Sequence, residues 1–194
     1  MPDPLLDALA RHPADKILLH DAGQSWCAAE VLAEVAQLSA RLPACRVLAV
    51  LADNSPAWVI ADLAALRSGT VHLPLPTFFS RAQMIHALEQ TAADAVLTDQ
   101  PRTIDALGLG FAVDSEWQGL TLMRRAVAAM AIPAGTAKVS FTSGSTGQPK
   151  GVCLSAAGLI DTVLALQERL ADLPIERHLA VLPLSLLLEN VAGV

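Results

Sequence analysis

The residues with the clearest chemical potential lie together, in Thr142-Ser143-Gly144-Ser145-Thr146-Gly147-Gln148-Pro149-Lys150-Gly151. Gly144 and Gly147 permit backbone angles that turn successive amide N–H groups toward one anion. Thr142, Ser143, Ser145 and Thr146 add hydroxyl donors without bulk, and Lys150 adds a compact positive charge. Such a set suits a polyphosphate. It is not a Walker-type loop, because G-x-x-x-x-G-K-[S/T] does not fit it, and Pro149 followed by an apolar run predicts loop into strand instead of loop into helix. An anion here would be held by loop donors and the lysine, not by a helix dipole. Judged on glycine content alone, the stretch would read as a surface hairpin.

The elements that must position this loop are legible around it. Apolar strands are predicted at Ala137 to Phe141 and Gly151 to Leu154, followed by a helix from Ser155 to about Leu170. Upstream, Ser25 is expected to open an amphipathic helix carrying Val31, Leu32, Val35, Leu38 and Leu42 at helical spacing, ended by Pro43. Arg46 to Leu51 is an apolar run of the kind a central parallel strand needs. Ser55-Pro56 and Gly69 bracket a helix over 56–68, as N-cap, first-position proline and C-terminal glycine. Thr70 to Leu75 and Ala95 to Thr98 read as further strands, separated by a helix that the Ser80/Gln83 capping box starts and that runs to about Gln90. The alternation predicts an α/β fold with a mostly parallel sheet flanked by helices. Between Pro101 and Gly135 the expectation is a strand at Phe111 to Val113 and a helix with Leu120, Met123, Val127 and Met130 on one face. Leu179 to Leu188 is expected to be a buried strand and loop.

Composition removes several function classes. The chain of 194 residues is 53% hydrophobic and 16% charged, which predicts an ordered globular body and not a disordered tail. A net charge of −6, with no Lys/Arg run, argues against a nucleic-acid partner. Cys27, Cys45 and Cys153 are odd in number and form no C-x-x-C, so they are expected to be buried thiols in a reducing cytoplasm and not a disulfide framework or zinc site. The N-terminus has no signal-peptide pattern, and the most apolar tract is far short of the roughly 20 residues a membrane span requires.

The loop resembles the signature sequence of the adenylate-forming, AMP-binding superfamily, which includes acyl-CoA synthetases, luciferases and peptide-synthetase adenylation domains. Three further stretches are similar to family elements in the expected order: Asp53-Asn-Ser-Pro-Ala-Trp58, then Leu66-Arg-Ser-Gly-Thr-Val-His-Leu-Pro-Leu75, then, after the loop, Leu182-Pro-Leu-Ser185. The resemblance implies that the chain is part of the large N-terminal domain of such an enzyme, with residues 1–194 forming a truncated portion. The family's adenine-site motif, ribose-binding acid and C-terminal domain with its catalytic lysine would lie downstream, so the chain alone is expected to be inactive.

The activity implied is ATP-dependent conversion of a carboxylic acid to an acyl adenylate, followed by transfer to coenzyme A. By carry-over, Thr142, Ser143, Gly144, Ser145, Thr146, Gly147 and Lys150 would hold the β- and γ-phosphates. Lys150 would be the catalytic cation, and Thr146 would meet Mg2+. The stretch from Leu182 to Asn190 is most similar to long-chain acyl-CoA synthetases, although Leu186 stands where that pattern has histidine. Glu189 matches a family position and reads equally as a capping carboxylate. His20, His72, His86 and His178 lack metal-like spacing and read as surface or packed side chains. Trp58 and Trp117 read as core anchors, Asp53 as a strand-end residue and Asp62 as a helix-face residue. The alternatives are a non-enzymatic nucleotide- or phosphate-binding module, and an adenylating enzyme for an aryl or amino acid. Expected partners are a small carboxylic acid, ATP and coenzyme A, with no membrane span, and a homodimer is compatible with the chain.

Overall fold

A computed structural model of the chain describes residues 4–142 and 149–192. Its elements are α1 (Pro4–Leu9), β1 (Ile17–His20), β2 (Ser25–Cys27), α2 (Ala28–Ala40), β3 (Val47–Leu51), α3 (Pro56–Ser68), β4 (Val71–Pro74) and α4 (Arg81–Gln90), followed by β5 (Ala95–Thr98), α5 (Pro101–Asp105), β6 (Ala112–Trp117), β7 (Leu120–Arg124), β8 (Thr136–Thr142), β9 (Lys150–Ser155), α6 (Ala156–Leu170) and α7 (Leu187–Ala192). Seven strands form one sheet in the order β6-β7-β5-β3-β4-β8-β9. The central run β5-β3-β4-β8 is parallel, and an antiparallel hairpin closes each side. This is the α/β, mostly parallel architecture that the alternation of elements predicts.

The sheet is sealed on both faces, which is why β3 and β5 are apolar at nearly every position. Leu48, Val50 and Leu97 pack with α2 and α3, while Ala49, Leu51 and Val96 pack with α4 and α5. Helix α3 is bounded as its sequence requires. The Ser55 hydroxyl accepts from the Trp58 amide at 3.2 Å, and Gly69 adopts φ +71°, a left-handed conformation that lets the chain turn into β4. In α4 the Ser80/Gln83 capping box is present in both directions.

Three expectations fail for identifiable reasons. Ser25 does not open a helix: Ser25–Cys27 pair antiparallel with β1, and α2 starts only at Ala28, where the Glu30 carboxylate accepts from the Cys27 amide at 2.8 Å. The expected helix through Leu120 and Met123 is the β6–β7 hairpin. Gln118 (φ +48°) and Gly119 (φ +77°) both take positive φ at its turn, the two-residue geometry that matches strand twist. The apparent helical spacing arose because β7 is buried on both faces, with Leu120 and Leu122 in one apolar cluster and Met123 in the other. Val127 and Met130 lie past the strand, in no regular element.

The third failure is the tract from Leu179 to Leu188, which is neither a strand nor buried. Leu179, Val181 and Leu188 are 79%, 74% and 71% exposed, and only Leu184 and Ser185 are buried. Helix α6, present as expected, likewise buries none of its residues against the described chain, and the Ser155 hydroxyl caps it by accepting from Gly158 N. No described helix is long and apolar enough to cross a membrane.

Candidate functional site

Thr142 ends β8 and Lys150 begins β9, and the two residues are directly opposed in the antiparallel ladder. The Thr142 hydroxyl donates to the Lys150 carbonyl at 3.4 Å. The loop between them therefore springs from a closed pair at the carboxyl edge of the parallel strands, where open α/β sheets take their ligands. Ser143, Gly144, Ser145, Thr146, Gly147 and Gln148 lie outside the described residues, so their predicted phosphate and metal contacts have no geometry here. The two flanking residues do. Both are exposed, and the Lys150 ammonium has no ion-pair or hydrogen-bond partner among the described residues. A cation left without a partner among the described residues, next to a hydroxyl, is suited to an anionic ligand.

The stems of this loop are fixed from one side by α4. The His86 Nε2–H donates to the Pro149 carbonyl at 3.1 Å, which sets the ring tautomer, because a carbonyl only accepts. The same ring stands edge-on to Phe141, with centroids 6.2 Å apart. One histidine thus touches both ends of the loop, a role that its isolated position in the sequence did not reveal. Gly151 is required by the same packing: it opposes Phe141, and a Cβ there would lie 3.1 Å from Phe141 Cζ and from Val139 Cγ1. His86, Phe141, Lys150 and Cys153 line a cleft of about 380 Å³ behind the loop.

On the other face of β8 is a buried polar cluster that sequence reasoning missed. Alternation along the strand directs Lys138, Ser140 and Thr142 to one side. The Lys138 ammonium donates to Asp62 Oδ2 at 2.8 Å and also to Asn190 Oδ1, while Asn190 Nδ2 donates to the same Asp62 oxygen at 2.7 Å. His72, in register with Lys138 on β4, donates from Nδ1 to Asp62 Oδ1 at 2.6 Å. Burial alone would raise the Asp62 carboxyl. The adjacent Lys138 ammonium and the hydrogen bonds outweigh it and hold the group well below the usual carboxylate range. For His72 burial wins, so the ring stays below its ordinary 6.5 and is a neutral donor to Asp62. Its Nε2 is left as a buried lone pair without a hydrogen-bond partner among the described residues, in a ring packed edge-on to Trp58 at 5.2 Å.

Asp62 does sit on a helix face as expected, but it faces inward. The readable signal was a single acid in the apolar helix PAWVIADLAAL, a histidine in the strand VHLP and a lysine in the strand AKVSF. The remaining candidates scatter. His20 hydrogen-bonds Ser25 at the surface, and the half-exposed His178 hydrogen-bonds Glu189 at 2.7 Å, which makes Glu189 a buried hydrogen-bond partner and not a solvated cap. Trp58 and Trp117 are core residues, as expected. Of the thiols only Cys45 is buried: Cys27 is half-buried and Cys153, on edge strand β9, is exposed.

Residues 5–193 match the AMP-binding enzyme family. A nonribosomal peptide synthetase, pboA of Aspergillus ustus, is 34% identical over 170 residues, covering 82% of this chain and 8% of the relative. A hybrid PKS-NRPS synthetase, xenE of Xenoacremonium sinensis, is 31% identical over 175 residues, covering 83% of this chain and 4% of the relative. Among solved structures, a malonyl-CoA ligase in a ternary product complex with methylmalonyl-CoA and AMP superposes with a TM-score of 0.76 at 28% identity, covering 99% of this chain and 41% of that one. The o-succinylbenzoate coenzyme A synthetase of Bacillus subtilis, solved with ATP and a magnesium ion, gives a TM-score of 0.73 at 22% identity, covering 98% and 53%, a likeness of fold. The chain thus spans under a tenth of these curated relatives and about half or less of these solved enzymes. These similar proteins include peptide synthetases, a malonyl-CoA ligase and an o-succinylbenzoate coenzyme A synthetase, and do not single out long-chain acyl-CoA synthetases. On the match across nearly its whole length, the chain belongs to the AMP-binding enzyme family.

Proposed function

We propose that the protein containing this chain activates a carboxylic acid as its acyl adenylate and then transfers the acyl group to a thiol, with coenzyme A as the acceptor. The observation that carries the reading is the Lys150 ammonium, unpartnered among the described residues and paired across the ladder with Thr142, at the mouth of a Gly/Ser/Thr loop on the carboxyl edge of the sheet. In the first step a carboxylate oxygen attacks the α-phosphorus of ATP. The bond from that phosphorus to the bridging oxygen breaks, and pyrophosphate leaves with its electrons.

Lys150 balances the charge that gathers on the leaving β- and γ-phosphates. Thr142, Ser143, Ser145 and Thr146 donate hydrogen bonds to them, and Gly144 and Gly147 free the loop amides to do the same. Mg2+, when bound, neutralises phosphate charge, and Thr146 is the hydroxyl proposed to meet it. The contribution of this chain is therefore positional and electrostatic. The work of the whole reaction is assigned to the whole protein, in which this chain forms part of the large nucleotide-binding domain, operating in a reducing cytoplasm.

Two acid classes have specific support. Exposed Leu182, Leu187 and Leu188, with Leu186 in place of a histidine, suit a fatty or otherwise apolar acid. The peptide-synthetase relatives favour an amino acid, with a carrier-bound thiol as acceptor. Carboxylate-dependent exchange of labelled pyrophosphate into ATP tests both readings, run on the product of the complete reading frame with fatty, aryl and amino acids. Exchange with one class names the substrate. No exchange with any acid replaces the adenylation reading with that of a phosphate-binding module.

A further inference from the structure

The β8–β9 hairpin carries Thr142 and Lys150 at its loop end, and few bonds hold that end in place. Strand β9 is the edge of the sheet, paired with β8 alone, and Lys150, Gly151, Val152 and Cys153 are all exposed. The cleft of about 380 Å³ opens where side chains of the helical layer would otherwise pack on Gly151 and Cys153. An edge strand with so few packed neighbours opens readily at its end. The bonds that tie β8 to other elements lie further back. Lys138, four positions before Thr142, reaches Asp62 and Asn190, and the register with β4 is set at the same residue, opposite His72.

Among the described residues, the side chain that hydrogen-bonds this loop end from outside the hairpin is His86. Helix α4 gives it a fixed base, since the Ser80/Gln83 capping box closes the helix start and Met84, Ala87 and Leu88 bury one of its faces. From the flank of that helix, Nε2–H donates to the Pro149 carbonyl at 3.1 Å, while the ring stands edge-on to Phe141. Phe141 in turn opposes Gly151, where the missing Cβ lets its ring lie close. His86, Phe141 and Gly151 thus form a stack across both strands, one residue inward from the Thr142–Lys150 pair. The Pro149 carbonyl and the Lys150 amide share one planar peptide unit. A bond that fixes the carbonyl therefore fixes the point from which the Lys150 side chain departs.

We propose that His86 is a positioning residue that acts through Lys150. It holds the peptide plane from which the lysine extends, and so keeps the ammonium where the phosphates of ATP are to be met. The inference rests on the adenylation reading above and uses only the two stems of the loop. The donor, and not the ring, is the feature that matters. A single edge contact between aromatic rings is weak and tolerates sliding, whereas the hydrogen bond is directional.

The experiment uses the protein from its complete reading frame, unmodified and as His86→Phe, His86→Gln, Lys150→Ala and the double variant His86→Phe/Lys150→Ala. His86→Phe keeps a ring against Phe141 and removes the donor, and His86→Gln keeps a donor and removes the ring. Amide hydrogen exchange over residues 150–153 reports the clamp independently of catalysis. It is expected to quicken about fivefold in His86→Phe, the factor that one hydrogen bond of ordinary strength carries, and by less than about twofold in His86→Gln. Pyrophosphate exchange, run with the acid that supports it, reports the consequence. The kcat/KM for ATP is expected to fall about fivefold in His86→Phe and to be largely kept in His86→Gln, with the carboxylate KM within about twofold of the unmodified value. In the Lys150→Ala background, His86→Phe is expected to lose nothing further, because a residue that works through another has no effect once the other is gone. Unchanged hydrogen exchange in His86→Phe overturns the clamp, and quickened exchange with unchanged kcat/KM overturns the positioning role. An equal loss with and without the Lys150 amine marks general damage and also overturns it. A glutamine variant as impaired as the phenylalanine one overturns the assignment to the donor. If the unmodified protein exchanges pyrophosphate with no acid, the adenylation reading fails and the positioning role falls with it, and the hydrogen-exchange data then show separately whether His86 holds the hairpin.

Discussion

Replacing Lys138 by methionine removes the ammonium that sits on a carboxylate only 14% exposed, and the consequence can be worked out before it is measured. At 2.8 Å the pair attracts by about 6 kcal/mol at an effective dielectric constant of about 20, less the cost of taking both charges out of water. Losing one partner of such a buried pair costs about 3–5 kcal/mol. Asp62 has an escape, which is to bind a proton. From an ordinary value of 3.8, protonation at pH 7 costs about 1.4 kcal/mol per pH unit, or about 4 kcal/mol in all, and that is the ceiling on the penalty. The expected loss for Lys138→Met is therefore about 3–4 kcal/mol at pH 7, shrinking to about 2 kcal/mol at pH 5, where the proton is cheaper. Urea denaturation at the two pH values measures it, with Asp62→Asn added to complete a double-mutant cycle. The double variant is expected to be more stable than Lys138→Met alone, because no carboxylate remains to be neutralised. A loss below about 1 kcal/mol, as for an exposed pair, would refute the reasoning, and so would a penalty that does not change with pH.

Three other outcomes follow from the same geometry. Lys150→Ala, at an exposed position with no partner among the described residues, is expected to slow adenylation by about 10²–10³-fold while changing stability by less than about 0.5 kcal/mol; unchanged pyrophosphate exchange would remove Lys150 from the site. His72, held neutral by burial, binds a proton more weakly folded than unfolded, so stability is expected to be full above about pH 6.5 and to decline by up to about 1.4 kcal/mol per unit as pH falls below it. Asp62 acts in the same sense only below 3.8, and His72→Asn, which keeps a donor to Asp62, is expected to flatten the curve between pH 6.5 and 4. Burial and then the Asp94 carboxylate push the Cys45 thiol up to about 12, so a thiol reagent at pH 8 is expected to label exposed Cys153 promptly and Cys45 only on unfolding; equal rates, read by mass spectrometry, would contradict the burial of Cys45.

Most of the fold and one end of the site are readable without coordinates, because their causes are local. Ser55, Pro56 and Gly69 bound α3 through backbone preferences that act within a few residues. The uniform apolar character of β3 announces a strand covered on both sides. The composition of the loop from Thr142 to Gly151, with its glycines, hydroxyls and lysine, is the local feature from which the phosphate-binding expectation is drawn. Local signals misled where two causes give one pattern. Met123, three residues after Leu120, fits a helical stripe equally well as a strand with two buried faces, and only the pairing of β7 with both β5 and β6 separates them.

What no local signal carries is which distant residues meet. Asp62, His72, Lys138 and Asn190 are polar residues in apolar surroundings, each ordinary alone, and the separations that join them span up to 128 positions. His86 becomes a clamp for the loop stems only because α4 packs beside β8, and Glu189 becomes a buried hydrogen-bond partner only because the chain brings His178 back to it. The sequence by itself determined most of the elements and the mostly parallel character of the sheet, since hydrogen-bonding and apolar period act over a few residues. The tertiary structure decided which charges are buried together and what holds segment 182–190 to the sheet, because buried charges are tolerated only where folding brings them a partner from elsewhere in the chain.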